Sequence, residues 1–216
     1  MKAMARRCCI LLSVLTRGVL VACGNPSVDE LVEDLGDEVE GVPLAFHRAG
    51  QPCVMCHSVY GGADPRMSVA GTIYSVKGMV AVTNPDGMAT AVPSPPVDQV
   101  TVVMFDSFGT KMEVKTDCVG NFHLTPDQWD PFFPLYAEIQ FPHPKEQPAP
   151  GEPPPPEEES VIRRAAMGTW IQREPSCNAC HAGEPNQGSA GKVYCMEAMP
   201  DPPFLFPNSA TCEGVP

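Results

Sequence analysis

A five-residue pattern, in which two cysteines are separated by two residues and followed at once by a histidine, occurs twice in the chain. The two copies supply six side chains: Cys53, Cys56 and His57, and Cys177, Cys180 and His181. Two thiols at this spacing can reach the two vinyl groups of one porphyrin, and the adjacent imidazole is then held beside the iron. The pattern therefore predicts two c-type haems, each bound through two thioethers, with His57 and His181 as the proximal iron ligands.

Paired cysteines also serve three other chemistries. A redox-active dithiol usually opens a helix in a thioredoxin-like βαβ unit, and no such unit is visible around either copy. Four cysteines could together bind zinc, although a zinc site does not require a histidine directly after each pair. Simple disulfides are the third alternative. The repeated histidine favours haem, and zinc or disulfides remain open for a protein without haem.

The sixth ligand of each iron is less constrained by the sequence. His47 lies six residues before Cys53 and Met167 lies ten before Cys177, so these two are the candidate distal ligands. Met67, ten residues after His57, is a further methionine at such a spacing. A methionine ligand raises the reduction potential relative to a second histidine. Roles in packing or at the surface, and an open coordination position suited to ligand binding or peroxide chemistry, are the alternatives.

The first 22 residues have the pattern of an export signal, with a basic start followed by an apolar stretch that Arg17 interrupts. The stretch is too short to span a bilayer core of about 30 Å. Residues 20–23, Leu-Val-Ala-Cys, resemble the lipobox of bacterial lipoproteins. The resemblance implies acylation of Cys23, and Gly24 after it, rather than Asp, implies the outer membrane. We therefore expect a lipid-anchored protein of the cell envelope that faces the periplasm or the cell surface.

The chain is strongly acidic, with a formal net charge of −12. Removal of residues 1–22 takes away four of its 14 basic residues and none of its 26 acidic ones. Such a surface repels nucleic acid, so DNA or RNA binding is not expected. The expected partners are redox proteins with a basic docking surface, and the membrane through the lipid anchor. Solubility alone is the simpler explanation of the charge.

Between the two cysteine patterns the sequence alternates apolar and polar residues in short segments that end in turn residues. This pattern predicts a mainly β fold, an antiparallel β-sandwich, with short helical or loop haem-binding segments at both ends. The run at 142–159 is rich in proline and acid and is expected to form an exposed loop at a hairpin tip. The predicted strands are residues 69–74, 100–105, 112–116, 121–124, 135–141 and 161–167.

The order of these segments resembles the carboxypeptidase regulatory-like, transthyretin-like sandwich. The resemblance depends on residues 70–74, on Asp106 and Gly109, and on Thr116 with residues 120–122. It implies a structural or binding module, and the insertion at 77–99 departs from the family pattern. The chain as a whole resembles exported dihaem lipoproteins. The implied organisation is a signal at 1–22, an acidic tether at 23–43, a first haem segment at 44–67, the sandwich at 68–168, and a second haem segment with a tail at 169–216.

Three cysteines remain after those assigned to the signal, the lipid and the haems: Cys118, Cys195 and Cys212. Cys195 and Cys212 are close in sequence within a proline-rich tail, so they are the expected disulfide. A bridge from Cys118 to either of them is the alternative.

These observations predict electron transfer by a membrane-anchored dihaem c-type cytochrome. The first alternative is a surface lipoprotein without haem, a binding or scaffold module whose cysteines form disulfides or bind zinc. The second is an enzyme such as a dihaem peroxidase, for which the chain is short. We expect an electron carrier rather than an enzyme.

Overall fold

The computed structural model describes residues 26–36, 46–83, 87–144, 160–183 and 189–198. The chain divides into two units, Met1–Gly36 and Asp37–Pro216. In the first unit, helix α1 (Pro26–Asp34) lies within the segment predicted to be an acidic tether. The signal and Cys23 lie outside the described residues. Among the described residues, no helix has both the length and the apolar character needed to cross a membrane.

The described part of the second unit is built mainly of strands, which confirms the prediction of a mainly β fold. The helices are single turns, α2 (Cys53–Cys56) and α3 (Cys177–Cys180). The strands are β1 (Val69–Val76), β2 (Met79–Thr83), β3 (Ala89–Pro93), β4 (Thr101–Phe105), β5 (Lys111–Lys115), β6 (Asn121–Leu124), β7 (Tyr136–Pro144), β8 (Ser160–Ala166) and β9 (Val193–Met196).

The strands form three sheets. One sheet has the order β5-β4-β7-β8 and is antiparallel throughout. A second has the order β6-β1-β9, in which β1 is antiparallel to β6 and parallel to β9. The third is the β2-β3 hairpin, within the insertion where no strand was predicted. The β1-β9 pair departs from the all-antiparallel expectation, because a strand in the tail returns beside the first strand. The face-to-face sandwich and its transthyretin-like topology stay predictions.

The proline-rich loop begins later than predicted. Residues 142–144 belong to β7, where Pro142 pairs with Ile162 and Pro144 pairs with Ser160 of β8. The pairing of β7 with β4 ends at Gln140, so beyond that residue β7 has β8 as its one neighbour in the described sheet. Proline lacks an amide hydrogen and is tolerated in a strand that pairs on one side only. Residues 145–159 lie outside the described part of the chain.

One apolar cluster contains residues of both larger sheets. Strand β1 is buried along its whole length and contributes Val69, Ile73 and Val76 to this cluster. The other buried members are Val97, Val100, Val102, Met104, Phe122, Leu124, Trp129, Leu135, Ile139, Phe141, Cys195 and Met196. Burial of this apolar surface is the main favourable term in the stability of the fold. Strand β1 is therefore part of the core, and the two cysteine-histidine segments pack against it.

Candidate cofactor-attachment site

The two cysteine-histidine patterns adopt the same local structure. In each, the backbone N–H of the histidine donates to the carbonyl of the first cysteine, at 3.0 Å for His57 to Cys53 and 2.9 Å for His181 to Cys177. Each histidine is the residue that ends its one-turn helix. The turn therefore holds the two thiols at its start and end and places the imidazole directly after them.

Both motif histidines make the same side-chain hydrogen bond. The Nδ1 atom of His57 lies 2.8 Å from the carbonyl oxygen of Pro65, and that of His181 lies 2.8 Å from the carbonyl oxygen of Gly191. A carbonyl oxygen only accepts, so Nδ1 carries the hydrogen and, in the neutral ring, Nε2 carries the lone pair. Histidines that bind metals commonly donate their other ring nitrogen to a backbone carbonyl in this way, which fixes the tautomer and the ring orientation.

The four motif cysteines are free thiols. Burial raises the pKa of Cys53 to about 11 and that of Cys177 to about 12. Catalytic dithiols have a lowered pKa, so these thiols lack the property on which disulfide exchange depends. Among the described residues, no three or more His, Cys, Asp or Glu side chains are grouped so as to hold a metal ion together. The raised pKa values of Cys53 and Cys177 do not favour a redox dithiol, and within the described residues neither pattern forms a disulfide.

Two further histidines, His47 and His123, lie near His57 of the first pattern. The ring centroids of His47 and His57 are 6.0 Å apart, and the two planes are tilted by 31°. Desolvation, and then the nearby His57, lower the pKa of His123 on β6. The backbone N–H of Met67 donates to the carbonyl of His57 at 2.8 Å. The structure thus brings His47, the predicted distal ligand, next to His57, the predicted proximal ligand.

A cavity of about 310 Å³ lies beside the second pattern. Cys177 and His181 line it together with Met167, the predicted distal residue of this segment. The rest of its wall is mostly apolar and includes Phe122 and Ile139. Small-molecule sites are typically of this kind, largely apolar with a few polar groups that fix the orientation of the ligand.

The two segments meet on strand β1. The side-chain amide of Asn178, in α3, donates to the carbonyl oxygen of Gln51 at 2.8 Å. The thiol of Cys53 donates to the same oxygen at 3.4 Å. Cys53 is also one of the neighbours that raise the pKa of Cys177, after burial, which has the largest effect. The first cysteines of the two patterns are therefore neighbours, although they are far apart in sequence.

Sequence reasoning missed the polar residues that join the segments. Asn178 is 1% exposed, and its amide also bonds Thr72 of β1, both at the backbone N–H (3.2 Å) and at the hydroxyl (2.9 Å). One signal was available. The first pattern has Val54 at the position that Asn178 occupies in the second, and a buried amide in place of a buried valine implies a specific polar partner.

The expected Cys195–Cys212 disulfide is wrong. Cys195 is a free thiol on β9 and is 6% exposed within the apolar cluster. Cys118 is disulfide-bonded, and its partner lies outside the described residues, as does Cys212. The physical reason for the error is the unpredicted strand β9, which carries Cys195 out of the tail and into the core.

Comparisons with protein-family models, with curated proteins and with solved structures found no match. The functional proposal accordingly depends on the geometry of the two cysteine-histidine segments.

Proposed function

We propose that the protein is an exported, lipid-anchored dihaem c-type cytochrome that transfers electrons. Its haems are bound through thioethers at Cys53 and Cys56 and at Cys177 and Cys180. One observation carries the proposal. In both His57 and His181, the Nδ1 atom donates a hydrogen bond to a backbone carbonyl oxygen at 2.8 Å. This hydrogen bond leaves the Nε2 atom of each ring available to bind iron.

The residues present fit this group. Each pattern offers two free thiols at the spacing that porphyrin attachment needs and one imidazole in the metal-binding tautomer. A bound haem supplies a one-electron iron couple. The chain anchors the macrocycle through the thiols and orients the imidazole through Pro65 or Gly191. Beside His181, the mostly apolar cavity wall would pack against the macrocycle.

For the first iron, His47 is the distal ligand in this proposal. His47 would hold the first iron together with His57, because the two rings lie beside each other. The separation between the His47 and His57 centroids is 6.0 Å. For the second iron, Met167 is the distal ligand, because it lines the same cavity as His181. A histidine at one iron and a methionine at the other would give the two haems different potentials, with the higher one at the methionine-bound iron.

The remainder of the chain supports this role. The acidic surface suits a redox partner with a basic docking face, and the lipid on Cys23 holds the carrier at the envelope membrane. The strand scaffold acts as a support for the haem segments and contributes no chemistry of its own.

The test is expression of the full chain with the c-type maturation machinery, in three variants beside the natural sequence. Cys53 and Cys56 are both changed to alanine in one, Cys177 and Cys180 in the second, and Cys195→Ala is the control because it lies outside both patterns. The pyridine haemochrome spectrum gives haem per chain. We expect two haems in the natural chain and the control and one in each double variant. A natural chain without haem, or haem content independent of these cysteines, would overturn the proposal.

A further inference from the structure

The buried amide of Asn178 is not explained by haem attachment. The equivalent residue of the first pattern is Val54, which is buried without any polar contact to make. An amide in this position loses its hydration on folding, so it is tolerated only where its donors and acceptor find partners. The partners of Asn178 are Gln51 and Thr72. Its hydrogen bonds therefore connect the turn to other parts of the chain and are not needed to form the turn itself.

Thr72 connects this amide to the first segment. Its hydroxyl donates to the side-chain oxygen of Asn121 at 2.6 Å and accepts from the backbone N–H of Gly50 at 2.9 Å. The side-chain amide of Asn121 in turn donates to the carbonyl of His47 at 3.3 Å. A continuous set of hydrogen bonds thus runs from the interior of the second pattern, across β1, to the backbone of the first pattern's proposed distal ligand.

Close packing at Gly71 of β1 also holds the second pattern against this strand. Gly71 precedes Thr72 on β1, and a Cβ atom placed there would lie 2.8 Å from Cβ of Cys177. Residue 70 pairs with Ser176 in a parallel bridge. The second pattern therefore sits directly on β1, and no side chain at residue 71 holds it away. Cys177 packs against β1, and the next residue, Asn178, bonds to the carbonyl of Gln51, to which the thiol of Cys53 also donates. These contacts keep the first cysteines of the two patterns close together.

We infer that the two attachment segments form one dihaem unit, in which Asn178 is the positioning residue that sets the separation and orientation of the two haems. This inference depends on the proposed function. Since the anchoring thiols are neighbours, the two haems exchange electrons within the protein, and the charge of one iron shifts the potential of the other. Removal of the amide takes one buried hydrogen-bond partner from each of Gln51 and Thr72 and breaks the link between the two segments, so the segments shift relative to each other.

The experiment compares the natural holoprotein with Asn178→Val, which gives the second pattern the residue found in the first. Haem per chain is measured first, then the two midpoint potentials and the EPR spectrum of the oxidised protein, which reports magnetic interaction between the irons. Gln140→Val is the control, because Gln140 carries a partly buried amide bonded to Glu138 on β7. Thr72→Val and Thr72→Ser form a second pair that tests the same network.

We expect two interacting haems in the natural protein and in the Gln140 control. Asn178→Val and Thr72→Val should keep two haems but lose the interaction or shift both potentials, and Thr72→Ser should restore the natural behaviour because it keeps the hydroxyl. Two haems that titrate independently and show no magnetic interaction in the natural protein would overturn the inference. An unchanged interaction in both valine variants would overturn the role of Asn178. Absence of haem would instead contradict the proposed function.

Discussion

His47 precedes helix α2 in the sequence and His57 follows it, yet the centroids of their imidazole rings are 6.0 Å apart. His57 is fixed by its hydrogen bond to Pro65, and the backbone of His47 is held by Asn121. The protein therefore holds the two residues through separate partners. This arrangement suits two ligands of one iron.

Replacement of His47 by alanine should change the spin state of one haem without removing it. The thioether anchors and His57 are untouched, so the chain keeps two haems, but the first iron loses its sixth ligand. We expect about half of the haem to change from low-spin to high-spin in the absorption and EPR spectra. Added imidazole should restore the low-spin form. His143→Ala, on β7, is the control and should leave the spectra unchanged. A fully low-spin His47→Ala protein would show that another residue binds the first iron.

Replacement of Met167 by alanine should lower the potential of the second haem. A methionine ligand favours the reduced iron more than a histidine or water ligand does, so its loss shifts the midpoint downward. Spectroelectrochemical titration measures the shift, and the first haem should keep its potential apart from any effect of the neighbouring iron. Met88→Ala provides a matched control because Met88 is 66% exposed. If both potentials remain where they were, Met167 is a cavity residue and not a ligand.

Replacement of Gly71 by alanine should destabilise the protein and disturb the second haem segment. The new Cβ would lie 2.7 Å from the ring of Phe122 and 2.8 Å from Cβ of Cys177, distances at which the neighbours must move. Overpacking of this kind costs roughly 1–3 kcal/mol. The free energy of unfolding in urea and the haem content measure the two effects. Gly168→Ala is the control, because no atom lies within 4 Å of its added Cβ. Equal stability of the two variants would contradict the packing of Cys177 on β1.

The stability of the protein should fall at alkaline pH, in part because of Cys195. Burial raises the pKa of this thiol from 9.0 to about 12. The unfolded chain therefore loses the proton first, so the contribution of Cys195 is complete below about pH 9 and is lost as the pH rises toward 12. Urea unfolding at several pH values should show a shallower alkaline loss in Cys195→Val than in the natural chain. If the free energy of unfolding falls equally with rising pH in both proteins, the alkaline loss of stability arises from groups other than Cys195.

Much of the strand pattern could be predicted because its signals are local. Strand β6 begins and ends at the predicted residues, since the turn before it is set by Asp117, whose carboxylate accepts from the backbone of Val119 and Asn121, and by Gly120 at a φ of +72°. Strand β9 was missed because its partner is β1, which lies more than a hundred residues earlier. Such pairing is decided by tertiary context and not by propensity.

The haem-attachment site stays a prediction, and its parts differ in how far a sequence pattern can identify them. The spacing of Cys53, Cys56 and His57 is typical of haem attachment, so the residue types alone lead to that prediction. The acceptors Pro65 and Gly191 act through backbone carbonyls, which every residue has, and no sequence pattern distinguishes them. The bond between Asn178 and Gln51 joins residues 127 positions apart, and its existence depends on how both segments pack on β1.

The most direct test of the central claim is the intact mass of the mature chain, measured under denaturing conditions after production with the c-type maturation machinery, together with its visible spectrum. The account predicts a mass increased by two haems that survive denaturation, and a Soret band with the α and β bands of a reduced c-type cytochrome. A chain whose mass includes no haem and which does not absorb in the visible range would contradict it.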